Sequence, residues 1–388
     1  MEKTAQAVRN ILALILFIFC LVSCVAVIRK PAYSIPIDGL VQLRGAEGFS
    51  GGAFESTVLD EGKGTVCLAS DEKTGAYALQ GRYVTAAMAA DFPVREVIPS
   101  WNIQTPAGTA YLVELRISTD GSSWSPWFHM GRWGSKIPGA KPEKKMLKNE
   151  WGAVKVDYFS PLKDCRFLQW RVTFHSLRGK GTPAMTLFSC ALSSERGDRG
   201  ISLRRPPEKK IDKALWKKTL PVPYRSQGSE DSSIAGEICS PTSISMVMDY
   251  WGVRKATADM ARLIYDPDYK MYGMWWRGVQ GASQYGLEGW VQYFRNWEDV
   301  KSWIAAGQPV IACISFAAGA LGGSMTPASE GHVIVIAGFD DKGNPVCNDP
   351  AGKDEESGIV AYDSSELAKA WFDKGGVGYI IRPAKYPK

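Results

Sequence analysis

Cys239 stands where a loop rich in glycine, serine and aspartate, QGSEDSSIAGEI, gives way to an apolar-periodic segment. In that segment Ile244, Val247, Met248 and Trp251 recur at helical spacing. Ser240 and Pro241 suit the first turn of a helix, where proline's missing N–H costs nothing. A thiol at that place faces free backbone N–H groups and the positive end of the helix dipole, and both favour the reactive thiolate. Downstream, His332 opens a strand-like run, GHVIVIAGFD, and Asn348 and Asp349 close the next one, NPVCNDPAG. A thiol, an imidazole and an orienting carboxylate or amide are the parts of a nucleophile–base–orienter triad.

The order of these pieces is an upstream Gln227, C-x-P-T at a helix start, G-H-x-x-V-x-x-G-F-D, and N-D-P. It resembles the papain-like cysteine peptidases of the C39-like family, over residues Leu220 to Lys388. The resemblance implies a papain-like fold with Cys239 as nucleophile and His332 as general base, later general acid. It implies that Asp349 holds the imidazole tautomer, and that Gln227 donates a side-chain N–H to the oxyanion beside the backbone N–H of Cys239. Asn348 is the rival orienter; Asp349 is preferred because the family motif uses the aspartate of the Asp-Pro pair. Family members of this kind cleave after double glycine and usually accompany transporter modules, which are not seen here, so that specificity is not carried over. No cofactor is implied.

The elements that must position these groups are legible around them. Thr257 to Tyr265 reads as a helix, a second begins at Arg277, and Asn296 is a good N-cap for WEDVKSWIAAG. PVIACISF, HVIVIAGF, PVCND and VGYIIRP are β-branched runs, so helices precede an antiparallel sheet in an α+β order. Trp275, Trp276 and Gly331 are candidate groove residues, although helix packing is the favoured role for the two tryptophans. The Gly-rich AAGALGGSMTPASEG that runs up to His332 is expected to form a movable wall or a plain connection.

Upstream, residues 39–194 have an all-β texture, with alternation in AYLVELRIST and FLQWRVTFHS broken by Gly, Asp and Pro. A β-sandwich, jelly-roll-like, is expected there. Trp124, Trp127 and Trp133 could stack on sugar rings, but packing of the sandwich is favoured. His129 and His175 lack partners at ligand spacing, so no metal site is expected. Residues 195–219 are basic and carry paired prolines, a solvated linker that could also touch an anionic lipid surface.

At the start, Lys3 and Arg9 precede the apolar run Ile11 to Val22, too short to span a membrane comfortably. It ends in Leu21-Val22-Ser23-Cys24, similar to the lipobox of bacterial lipoproteins, whose cysteine becomes the lipidated N-terminus. Residues 1–24 therefore read as a lipoprotein signal peptide and 25–38 as a tether, with residues 220–388 as the peptidase domain. An exported chain permits disulfides, and a Cys165–Cys190 bridge is feasible; Cys313 and Cys347 sit in apolar strand runs.

The chain has 46 Lys and Arg against 40 Asp and Glu, a net charge of +6, and no nucleic-acid motif. The expected function is an extracytoplasmic, membrane-anchored cysteine peptidase of the cell envelope, hydrolysing peptide or isopeptide bonds in peptide or protein substrates such as cell-wall peptides. The alternative is a non-catalytic binding lipoprotein for cell-wall glycan or peptides.

Overall fold

The computed structural model describes residues 34–35, 39–141, 146–195, 204–207 and 209–384; the lipobox with Cys24 and most of the tether lie outside them. Between Ser34 and Ser193 the expected alternation builds two seven-stranded sheets. The strand Cys165–Ser176 pairs along its length with Thr109–Ser118, placing Trp170 opposite Leu115. Val113, Leu115, Ile117, Trp170, Val172 and Phe174 point into a shared core with Trp101, Ile103 and Phe188 of the second sheet. The strand Glu96–Gln104 departs from alternation, since all but its last residue is buried. Its second face is covered as well, which is the pattern of a strand buried on both sides.

What covers that face is the C-terminal domain. Its six-stranded antiparallel sheet runs in the order 287–293, 377–383, 310–316, 329–339, 345–348, 359–361. Gln280 bonds both the N–H and the C=O of Ile103, at 2.9 and 2.7 Å. Asn102 does the same to Gly289, at 2.9 Å each way. Paired amides of this kind satisfy backbone groups that burial would otherwise leave orphaned. Arg44 and Arg382 converge on Glu288 beside them.

Three elements differ from expectation. The helix expected from Arg277 starts two residues earlier, at Trp275–Ser283. The Asp157 carboxylate of the sandwich accepts the Trp275 N–H at 2.6 Å, and a cap supplied by another domain leaves no local signal. The strand Leu287–Tyr293 and the helix Ser364–Trp371 were not expected. The described part of the basic linker is exposed along most of its length but is held to the C-terminal domain at several points. Arg204 pairs with Asp373, Ile211 N–H bonds Glu298, and Trp216 is buried edge-on against Phe339. Ile211 and Trp216 within the lysine run, and Leu220 just after it, supply the apolar contacts that hold it.

The bridge expected as feasible between Cys165 and Cys190 does not form. Cys67, Cys165, Cys190, Cys239, Cys313 and Cys347 are all free thiols. No helix among the described residues is long and apolar enough to cross a membrane.

Candidate active site

Cys239 is the first residue of the helix Cys239–Tyr250, which packs through Ser243 on the strand Ser329–Phe339 by a 2.9 Å bond to Val333 O. The N–H groups of a first helical turn have no intrahelical acceptor, so the thiol shares its position with free donors. Ile244, Met246, Val247 and Met248 are fully buried beneath it. That burial fixes the helix and thereby the thiol.

His332 lies in the strand Ser329–Phe339, in register with Ile314. Its Nε2 is 2.7 Å from Asp349 Oδ1, and both side chains are buried. That leaves Nδ1 for the Cys239 thiol, which lies within side-chain hydrogen-bonding reach of the ring. Burial works against a charged imidazole here. The bonds and charges of Asp349 and Cys239 outweigh it and raise the pKa to about 10. An imidazole beside a thiol therefore holds its proton at neutral pH, the state that stabilises a thiolate.

Asp349 follows the strand Pro345–Asn348. Burial raises its pKa, but the His332 bond and charge, the Tyr362 hydroxyl and the Ala351 N–H bring it below the usual carboxylate range. Tyr362 donates to Oδ2 at 2.6 Å and Ala351 N–H to Oδ1 at 2.9 Å. Tyr224 donates to the Asp349 carbonyl at 3.0 Å and to Gly352 O at 2.7 Å, pinning the turn that carries the carboxylate.

The neighbouring Asn348 points elsewhere and donates to Val222 O at 3.0 Å. Of the two orienters weighed from the sequence, Asp349 is the one on the imidazole. Gln227 has its side-chain N–H on Ala235 O at 2.8 Å, and its Oε1 is buried without a partner. It is not among the residues that line the cleft.

Cys239 and His332 open onto a cleft of about 600 Å³. Gly331 and Trp275 line it, the latter although helix packing was its favoured role. Trp276 instead turns into the sandwich core, 4.7 Å from the Trp101 ring. The interior of the Gly-rich loop does not line the cleft, but its shoulders Ser315 and Glu330 do. Trp124 and Trp127 clamp the Arg116 guanidinium at 4.7 Å each, and Trp133 packs on Arg277 and Trp276.

Sequence reasoning missed Tyr362, Tyr224 and Asp157. Tyr362 reaches Asp349 through the pairing of 345–348 with 359–361, a register no local pattern carries. Asp157 reaches the cleft from the other domain.

Residues 219–379 match the Peptidase C39-like family, and residues 40–193 match the Peptidase C39 N-terminal domain. Among solved structures, a protein described as a C39-like peptidase from Bacillus anthracis is 18% identical, with a TM-score of 0.34 over 43% of this chain and 96% of that one. The peptidase domain of Streptococcus ComA, a bi-functional ABC transporter involved in quorum sensing, is 14% identical, with a TM-score of 0.31 over 42% of this chain and 99% of that one. A double-glycine-motif protease from an AMS/PCAT transporter, solved with the leader peptide, is 19% identical, with a TM-score of 0.30 over 43% and 96%. No curated protein matches the chain.

Proposed function

Since the chain joins a Peptidase C39 N-terminal domain to a Peptidase C39-like family domain, we propose that it is a cysteine peptidase acting through Cys239, His332 and Asp349. The observation that carries this reading is the chain of contacts at the cleft: thiol, imidazole, carboxylate and the Tyr362 hydroxyl behind it.

Cys239 attacks the scissile carbonyl as thiolate while His332 holds the proton. The backbone N–H of Cys239 is the oxyanion donor at the helix start. The family resemblance gives Gln227 as a second donor, whose amide bonds Ala235 O in this structure. His332 then protonates the departing amine, and the acyl-enzyme is hydrolysed with His332 as base. Asp349 holds the ring throughout. The substrates are peptides or proteins outside the cytoplasm, with cell-wall peptides and leader segments as candidate classes.

A peptide library and cell-wall fragments incubated with wild type and with Cys239→Ala test the reading. Cleavage by wild type alone is expected; cleavage that survives Cys239→Ala overturns it. A thiol-directed electrophile adds a second measure. Labelling of Cys239 that is equal in wild type and His332→Ala would favour the non-catalytic binding lipoprotein.

The lipobox-like Leu21-Val22-Ser23-Cys24 supports export and anchoring by acyl groups on Cys24. Cells expressing the full chain and fed a radiolabelled fatty acid should label it, and Cys24→Ala should abolish the label. An unchanged signal removes the anchor.

A further inference from the structure

The cleft that holds Cys239 and His332 is not built by the peptidase domain alone. Asp157, in the sandwich between the strands Gly152–Val154 and Phe159–Pro161, lines it beside Trp275. One oxygen of Asp157 accepts the Trp275 N–H at 2.6 Å. The other receives no hydrogen bond, and no lysine or arginine pairs with the carboxylate among the described residues. The next residue, Tyr158, stacks on the Trp275 ring with centroids 6.5 Å apart and planes 17° from parallel. A half-buried carboxylate without a counter-ion, next to an aromatic face, is the pair of features that receives an ammonium group. Glu237 and Glu330 on the rim add negative charge, against Lys270 and Lys374.

We propose that Asp157 is a specificity residue, and that with Trp275 it forms a subsite for a protonated amine of the peptide substrate. The inference rests on the peptidase reading for its place in the cleft, but it concerns binding and does not require turnover. The Asp157 carboxyl is raised to about 7, first by burial and then by the charge of Asp266, with the Trp275 N–H opposing. An unpaired carboxylate in such a place has the most to gain from an incoming cation. Such an amine has two sources, a lysine or diamino-acid side chain or a free peptide N-terminus.

The test is equilibrium binding to the full chain carrying Cys239→Ser, which cannot turn substrate over. Peptides from a library hit are compared as lysine against norleucine, position by position, and as free against acetylated N-terminus. One of the charged forms should bind about tenfold tighter at pH 8. Asp157→Asn, which keeps an oxygen for the Trp275 N–H and removes the charge, should bring the two forms within about twofold. Asp157→Ser serves the same purpose with a hydroxyl acceptor, so that a folding defect in one variant leaves the other to decide.

The lysine and N-terminal arms identify which amine is read. Equal affinity of charged and neutral peptides for the Asp157 protein overturns the proposal, and so does a preference that survives both substitutions. Electrophile labelling of Cys239 in the otherwise wild-type chain reports separately on the peptidase reading. Loss of that labelling with an intact charge preference would refute turnover and leave the subsite standing.

Discussion

His332→Ala should lower kcat/KM on any peptide the protein cleaves by about 10²–10⁴-fold, the usual span for a positioned acid–base group. In the proposed mechanism the substitution removes the group that holds the proton of the Cys239 thiol and later delivers it to the leaving amine. Asp349→Ala should fall in the same range, because the ring would lose the contact at Nε2 that fixes its tautomer. Steady-state kinetics on a common substrate would show it, and a loss of less than about tenfold in both variants would remove the His332–Asp349 pair from the mechanism.

The same pair makes a stability prediction whose sign follows from the pKa shifts. His332 is raised from 6.5 to about 10, so its contribution to folding is complete below pH 6.5 and is lost as pH rises through 10. Asp349 is lowered below 3.8, so its contribution is present above that value and is lost as pH falls through the depressed pKa. Thermal melts of wild type should therefore decline relative to His332→Ala between pH 6.5 and 10. Parallel curves would show that the ring is not held charged in the folded protein.

The second large effect lies at the domain boundary. Trp276 is fully buried among Trp101, Trp133 and Met274, inside the core of a domain to which it does not belong in sequence. Even Gly131 answers to it, since a Cβ there would come within 2.8 Å of the Trp276 ring and 3.1 Å of Trp101. Trp276→Ala should cost about 3–5 kcal/mol, the range for emptying a core of an aromatic of this size. Denaturant unfolding followed by circular dichroism should show both domains melting earlier. If only the C-terminal domain moves, the two cores are energetically separate despite their contact.

Much of the proposed catalytic arrangement was legible because its residues sit at local landmarks. Cys239 sits where a Gly- and Ser-rich loop meets a helix, and His332 and Asp349 sit at the ends of apolar strand runs; each place has a periodicity or a turn to mark it. The supports were not legible, because they arrive through pairing across sequence. Tyr362 depends on a three-residue strand with weak alternation, and Tyr224 on a turn more than 120 positions away, as its 125-residue separation from Asp349 shows. The sandwich strands announced themselves by alternation. The strand Glu96–Gln104 hid its second partner, since a strand buried on both faces reads the same whichever sheet or domain covers it.

The anchoring of the basic linker was hidden for a similar reason. Charge density dominates its composition, while its fate is set by Trp216 and Ile211, two apolar residues within the lysine run.

The reciprocal amide pairs at Ile103 and Gly289 carry a consequence for how such a chain can evolve. Either half, duplicated or transferred without the other, would bring along bare backbone donors and acceptors and an indole with nowhere to go. The seam that sequence comparison draws between the halves is thus a poor place to cut this chain.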